Sequence, residues 1–100
     1  MKHFNKIYIG GKISGLTPAE FHLKFDKAKT AVQYMHPKST VIIPTELCED
    51  DWDWEHCMDV CLDTLWNCDC IYLMPDWKSS RGSFIEKKIA EKLGIQIYYL

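Results

Sequence analysis

Residues 71–86 read IYLMPDWKSSRGSFIE. The apolar run Ile71–Met74 predicts a buried strand, and the small polar residues after it predict a turn that opens a helix ending near Gly94. A strand, a glycine-containing turn and a helix form an anion-binding site, because the free N–H groups and the positive dipole end of the helix point at the ligand. Glu86 lies about one turn inside this helix. It is therefore expected to face the same ligand.

Outward from this stretch, strands and helices alternate along the chain. Strands are predicted at residues 6–10, 40–44, 69–74 and 95–99. Helices are predicted from Thr17 to the His36-Pro37 pair, after the acidic segment 49–55, and from Ser80 to Gly94. A β-α-β-α-β-α-β order requires right-handed crossovers and gives a parallel sheet. The sequence thus predicts an α/β, Rossmann-like (flavodoxin-like) three-layer sandwich, with a four-stranded parallel sheet in the order 2-1-3-4 and one domain over residues 1–100.

Two loops meet where this strand order reverses. In such sheets, ligands bind at the carboxyl ends of the strands, at the point between strands one and three. The loop at residues 10–15 follows strand one, and the loop at residues 75–82 follows strand three. The topology therefore predicts a ligand site between the two most glycine- and serine-rich loops of the chain.

Composition excludes several classes of function. A net charge of −2 argues against binding of a nucleic-acid polymer, which needs a basic surface. No apolar run is long enough to span a membrane, and residues 1–6 lack the apolar core of a signal peptide. We therefore expect a cytoplasmic protein without a membrane partner, and nothing in the sequence predicts a cofactor.

Five cysteines leave a further alternative open. Without a secretory signal, an odd count argues against a disulfide framework. Cys57 and Cys61 share a helix face, with His56 adjacent, but no Cys-x-x-Cys pair is present and Cys68-x-Cys70 suits a strand. Buried free thiols and no metal site are expected, and a cysteine metal or redox protein stays open on the cysteine count alone.

Several short motifs stand along the chain in a fixed order and spacing. The first is a strand with a Tyr-x-x-Gly-x-Ile-x-Gly pattern, formed by Tyr8, Gly11, Ile13 and Gly15. The others are Cys68-Asp69 at the third strand, Met74-Pro75-Asp76-Trp77, and Ser80-x-Gly82-x-x-x-Glu86. In this order and spacing they resemble the nucleoside 2-deoxyribosyltransferase-like superfamily, most closely its small bacterial and phage branch. The resemblance extends over nearly the whole chain.

The resemblance implies cleavage or transfer at an N-glycosidic bond of a nucleoside or nucleotide. Glu86 would attack the anomeric carbon, as carboxylates do in retaining glycosidases, and Tyr8 would orient it. Asp69 would complete the catalytic group. The Ser80–Gly82 turn and the first loop would hold a 5′-phosphate, and Trp77 could stack on a base. The implied substrate-binding residues are Gly11, Lys12, Ser14, Asp76, Trp77, Ser80 and Gly82.

One departure from the pattern supports a competing hypothesis. Relatives carry a substrate-contacting aspartate eight residues before the third-strand aspartate, and here that position is Cys61. Asp59 and Asp63 flank it but face other directions on a helix. The alternative to an enzyme is therefore a catalytically silent nucleotide-binding module. A homo-oligomer is expected in either case, with Trp52 and Trp54 walling the pocket or filling an interface.

Overall fold

The computed structural model describes residues 3–100. The strands are β1 (Lys6–Gly10), β2 (Thr40–Ile42), β3 (Cys70–Leu73) and β4 (Gln96–Tyr99). The helices are α1 (Pro18–Met35), α2 (Pro44–Leu47), α3 (Trp54–Leu65) and α4 (Arg81–Leu93), with a 3-10 turn at Trp77–Ser79. Met1 and Lys2, which belong to the predicted domain and to the segment tested for a signal peptide, lie outside the described residues.

Within residues 3–100, the strands form one parallel sheet in the order β2-β1-β3-β4. Ile7 pairs with Cys70 and Gly10 with Leu73, so β1 and β3 end at the same level. The strand order therefore reverses beside β1, and the predicted topology is confirmed.

Alternate residues of the strands build two separate cores. Ile7 and Ile9 pack with Phe25 and Val32 of α1 on one face of the sheet. Tyr8 and its neighbours on the other face pack with α3 and α4, through Cys61, Leu65 and Ala90. Helices thus cover both faces, which confirms the three-layer arrangement.

Local sequence signals account for the ends of the long helices. The Thr17 side chain accepts a hydrogen bond from the Glu20 N–H, while the Glu20 carboxylate accepts one from the Thr17 N–H, so α1 begins with a capping box at the predicted start of the helix. At the end of α4, Gly94 adopts φ +72°, a left-handed conformation that favours glycine. Met35, the last residue of α1, is 40% exposed.

The segment after β2 differs from its prediction. β2 ends at Ile42, and Pro44 begins the short helix α2 rather than ending a strand, since proline suits the first position of a helix. Cys48 and Cys57 are joined by a disulfide, which corrects the expectation that all five thiols are free. The two residues lie in separate elements that only the tertiary fold brings together. Cys61, Cys68 and Cys70 are buried and take no part in this disulfide.

In the part of the chain that the structure describes, none of the helices has the length and apolar character needed to cross a bilayer.

Candidate functional site

A cavity of about 240 Å³ opens at the carboxyl end of β1. Its walls come mainly from three parts of the chain, and Phe21 of α1 also lines it. Tyr8, Gly11, Ile13 and Ser14 belong to β1 and its loop, and Ser80, Gly82, Ser83 and Glu86 to the start of α4. The third wall is the stretch from Pro44 to Cys61, which carries Thr45, Trp52 and Trp54. The cavity thus occupies the predicted point where the strand order reverses.

A buried carboxyl group forms the floor of this cavity. Glu86 is 4% exposed, and its carboxylate accepts a hydrogen bond from the Tyr8 hydroxyl, which is completely buried. Burial raises the pKa of Glu86 to about 8, although the hydrogen bond from Tyr8 opposes this. Burial and the nearby Glu86 charge raise the pKa of Tyr8 well above its ordinary value. Tyr8 therefore stays a neutral donor, and Glu86 ionises only in mildly alkaline solution.

The backbone of β1 approaches Glu86 closely because Gly10 has no side chain. A Cβ atom at Gly10 would lie 3.1 Å from Glu86 Oε1 and 3.1 Å from Leu73 Cδ2. A glycine at this strand end therefore lets the carboxyl group of α4 pack directly against β1.

Two buried hydroxyl groups in the walls of the cavity have no hydrogen-bond partner among the described residues. These are Ser83 Oγ and Thr45 Oγ1, and both residues line the cavity. Buried hydroxyls normally have partners, because an unsatisfied group costs about 1–3 kcal/mol. Each oxygen therefore keeps the capacity for one further hydrogen bond. Neither residue was among the predicted site residues, although Ser83 lies three residues before Glu86 and so shares its helix face.

Four of the predicted substrate-binding residues line the cavity: Gly11, Ser14, Ser80 and Gly82. The Ser80 hydroxyl already accepts a hydrogen bond from the Ser83 N–H at 3.2 Å and so caps α4. A Cβ at Gly82 would lie 3.0 Å from Met58 Sδ, so glycine here allows α3 and α4 to approach each other. These residues shape the cavity, and the Ser80 hydroxyl oxygen is used as the N-terminal cap of α4.

The other three lie outside the cavity lining. The Lys12 N–H donates to Asp76 Oδ1 at 3.2 Å, and the other Asp76 oxygen pairs with the Lys24 ammonium of α1, so Asp76 ties the two loops together. Trp77 packs its ring on Phe84 and Tyr99, with ring centroids 6.3 and 6.0 Å apart. The side chains of Asp76 and Trp77 thus contact other parts of the protein, and the predicted contacts of Lys12, Asp76 and Trp77 with substrate stay predictions.

Asp69 lies at the opposite edge of the sheet. Its carboxylate oxygens accept hydrogen bonds from the N–H groups of Asn5, at 2.9 Å, and Lys6, at 3.0 Å, beside the amino end of β1. The site of Glu86 lies at the carboxyl ends of the same strands. Asp69 thus holds the start of β1 in place, away from Glu86, and its predicted catalytic role stays a prediction.

Cys61 occupies the place at which the resemblance implies an aspartate. It is 2% exposed, lines the cavity and shares a hydrogen bond with the Tyr8 hydroxyl. Burial raises the pKa of its thiol to about 11, so the side chain at this position is neutral at pH 7, where an aspartate would carry a charge. Asp59 and Asp63 are exposed and absent from the lining, as the helical periodicity predicts.

The mouth of the cavity is acidic and aromatic. Glu49, Asp50 and Asp53 line it, and no lysine or arginine in the described part of the chain joins them. Trp52 and Trp54 belong to the same wall and so line the pocket, which was one of their two predicted places. The Trp52 ring stacks on His56 with centroids 4.0 Å apart, and the Arg81 guanidinium lies 4.3 Å from the Trp54 ring centroid. The site therefore favours neutral or cationic ligands with a flat ring.

The fold and the cavity define a parallel α/β protein with a buried acidic group at its ligand site. The chain belongs to the family described as "Domain of unknown function (DUF4406)", which matches residues 5–99. Its structure is similar to that of a 2-desoxiribosyltransferase from Leishmania mexicana, with a TM-score of 0.69 and 17% sequence identity. The match covers 96% of this chain and 63% of that protein, so the chain spans less than two thirds of its length. At this identity the likeness shows a shared fold. No curated protein matches the sequence.

Proposed function

We propose that this protein binds a nucleoside in the cavity, as a small member of the nucleoside 2-deoxyribosyltransferase-like superfamily. It cleaves the N-glycosidic bond and passes the sugar to water or to a second base. The observation that carries the proposal is the buried Glu86 carboxyl, hydrogen-bonded to Tyr8 on the cavity floor. The hydroxyls of Thr45 and Ser83, which lack partners among the described residues and belong to the same cavity lining, suit the hydroxyl groups of a sugar. The similarity to a 2-desoxiribosyltransferase supports this choice of chemistry.

In this mechanism Glu86 acts as a nucleophile. Its ionised oxygen forms a bond to the anomeric carbon while the bond to the base breaks, and the base leaves with the bonding electron pair and takes a proton. A second base or water then attacks the same carbon, and the ester bond to Glu86 breaks. Tyr8 donates a hydrogen bond to the carboxylate and so favours the ionised, reactive form.

The charges around the cavity favour a nucleoside over its 5′-phosphate. Glu49, Asp50 and Asp53 line the mouth, and Lys12, which was expected to hold the phosphate, is absent from the lining. A phosphate would carry up to two negative charges into this acidic environment. The cavity of about 240 Å³ also suits a small ligand, since sites for drug-sized molecules measure about 300–1,000 Å³. Nucleosides are therefore the proposed substrates, with the base stacked on the tryptophans of the wall.

The test is release of free base from a panel of ribonucleosides, deoxyribonucleosides and their 5′-monophosphates, with and without a second base as acceptor. We expect turnover of at least one nucleoside and at least about tenfold weaker binding of its monophosphate. Glu86→Gln should keep the fold and lose turnover. Glu91→Gln, which changes an exposed glutamate of the same helix, should retain it.

Two outcomes would contradict the mechanism. If Glu86→Gln releases base as fast as the unmodified chain, Glu86 is not the nucleophile. If nucleosides bind without any turnover over the whole panel, the protein is a catalytically silent binding module of this fold.

A further inference from the structure

Three cysteine sulfurs come together in the wall of the cavity. Cys48 follows α2, while Cys57 and Cys61 lie one turn apart on α3. Their Sγ atoms all lie within 4.8 Å of one another. Cys61 Sγ is 3.8 Å from that of Cys48 and 3.9 Å from that of Cys57. A free thiol therefore touches both sulfurs of the Cys48–Cys57 disulfide.

These two distances match the geometry of a metal–thiolate site. Zinc binds thiolate sulfur at about 2.3 Å in a tetrahedron, so its sulfur ligands stand about 3.8 Å apart along each edge. Two of the three edges are thus already present. The third edge, between Cys48 and Cys57, forms when the disulfide opens and the two sulfurs separate.

The surroundings also suit a cation with one open coordination position. All three cysteines line the cavity, so the face of the cluster that they leave uncovered points to solvent or a ligand. Glu49, Asp50 and Asp53 line the mouth, where the lining of the described residues contains no lysine or arginine and His22 Nε2 lies 2.8 Å from Asp50 Oδ1. An acidic entrance raises the local concentration of divalent cations.

We propose that, with the disulfide reduced, this protein binds one zinc-class divalent cation through Cys48, Cys57 and Cys61, with the fourth position open to the cavity. Thiolates select soft or borderline metals such as zinc over magnesium and calcium. The proposal is independent of the proposed N-glycosidic chemistry. It also gives the cysteines a function that their sequence spacing does not predict.

Reduction and metal binding balance in two steps. A dithiol or phosphine reductant supplies two electrons, and with two protons from water the Cys48–Cys57 bond becomes two thiols. Binding of the cation then converts up to three thiols to thiolates and releases their protons to solvent. Reoxidation of Cys48 and Cys57 removes two of the three ligands. The disulfide form is therefore expected to bind the metal poorly.

The experiment is titration of the phosphine-reduced, full-length chain with Co²⁺ alone and then Zn²⁺ alone. We expect one equivalent of Co²⁺ to bind, with thiolate charge-transfer absorption and the intense visible bands of a tetrahedral ion, and Zn²⁺ to displace it. Cys61→Ser should weaken binding at least about 100-fold, because loss of a ligand costs more than loss of an outer partner. Cys68→Ser, which changes a buried thiol outside the cavity, is the matched control and should bind as the unmodified chain does.

The remaining outcomes decide against the proposal. It is overturned if the reduced chain takes up no Co²⁺, if the spectrum is that of an octahedral ion, or if Cys61→Ser binds as tightly as Cys68→Ser. It is equally overturned if the disulfide form binds as tightly as the reduced form. Should Cys61→Ser fail to fold, as judged by circular dichroism, Cys48→Ser carries the same test, because Cys48 is only half-buried.

Discussion

Glu86 meets two opposing requirements, because burial favours its neutral form and nucleophilic attack needs its charged form. The Tyr8 hydroxyl donates a hydrogen bond to the carboxylate and so favours the charged form against the effect of burial. We predict that Tyr8→Phe removes about 1.5–3 kcal/mol of this stabilisation and moves the pKa of Glu86 further above about 8. In the disulfide form, base release at pH 7 should fall about 10- to 100-fold and recover in part as the pH rises. A pH–rate profile of kcat/KM with an unchanged midpoint would contradict this role of Tyr8.

The same carboxyl group makes stability depend on pH. The pKa of Glu86 is about 8 in the folded chain, against an ordinary value of 4.5, so the folded state holds a proton that the unfolded state has lost. The contribution of the neutral Glu86 carboxyl to the free energy of unfolding is fully present below about pH 4.5. It is lost as the pH rises from there to about 8. Glu86→Gln removes this dependence. We predict that the unfolding free energy of Glu86→Gln, minus that of the unmodified chain, rises by about 1.4 kcal/mol for each pH unit between about pH 5 and 8.

Urea denaturation of both disulfide-form proteins at several pH values measures this difference. Glu91→Gln is the control, since that glutamate is exposed and should leave the difference flat. A constant difference between Glu86→Gln and the unmodified chain would show that Glu86 ionises normally in the folded protein.

At the scale of the element, Ser80 and Ser83 at the start of α4 have different predicted roles, one in the helix and one in ligand binding. The Ser80 hydroxyl caps the helix, so we predict that Ser80→Ala lowers the unfolding free energy by about 1 kcal/mol and leaves ligand affinity nearly unchanged. The Ser83 hydroxyl has no partner among the described residues, so Ser83→Ala should leave stability unchanged or raise it by about 1 kcal/mol, and weaken nucleoside binding. Thermal unfolding and calorimetric titration of the pair measure both effects. The assignment is wrong if Ser80→Ala weakens nucleoside binding while Ser83→Ala lowers the unfolding free energy.

The same elements explain how far the sequence could predict the structure. β1, the capping box at Thr17 and the end of α4 at Gly94 rest on local patterns, and the structure confirms them. The strand order follows from the alternation of elements, so the place of the cavity follows as well. Glu86 and Tyr8 then meet because β1 ends and α4 begins at that place.

Other features depend on contacts between distant parts of the chain. The Cys48–Cys57 disulfide and the wall from Pro44 to Cys61 form only because α2 packs beside α3. Asp69 and Trp77 match motifs in sequence, but the direction of each side chain depends on its neighbours in space. Motif spacing therefore predicts that Glu86 faces the cavity, but it does not predict the wall from Pro44 to Cys61.

At the scale of the whole molecule, an exposed aromatic patch marks the side of the sheet that ends in β4. Phe84 is 46% and Tyr99 56% exposed, and both rings lie against Trp77. β4 is an edge strand, and exposed aromatic surface beside an open edge tends to be covered by a partner. Because Trp52 and Trp54 line the cavity, this patch replaces them as the predicted interface.

We therefore predict a symmetric homodimer or larger assembly formed through this patch, since closed two-fold contacts are the commonest arrangement. Sedimentation velocity at micromolar concentration should give a mass that is a multiple of 11.7 kDa. Charges placed within the patch by Phe84→Glu with Tyr99→Glu should reduce the mass to that of one chain, because burying them would be costly. Tyr34→Glu, at a residue 87% exposed on α1, is the control and should leave the assembly intact. A single species of 11.7 kDa in the unmodified protein would refute the assembly, and dissociation by Tyr34→Glu alone would move the interface to α1.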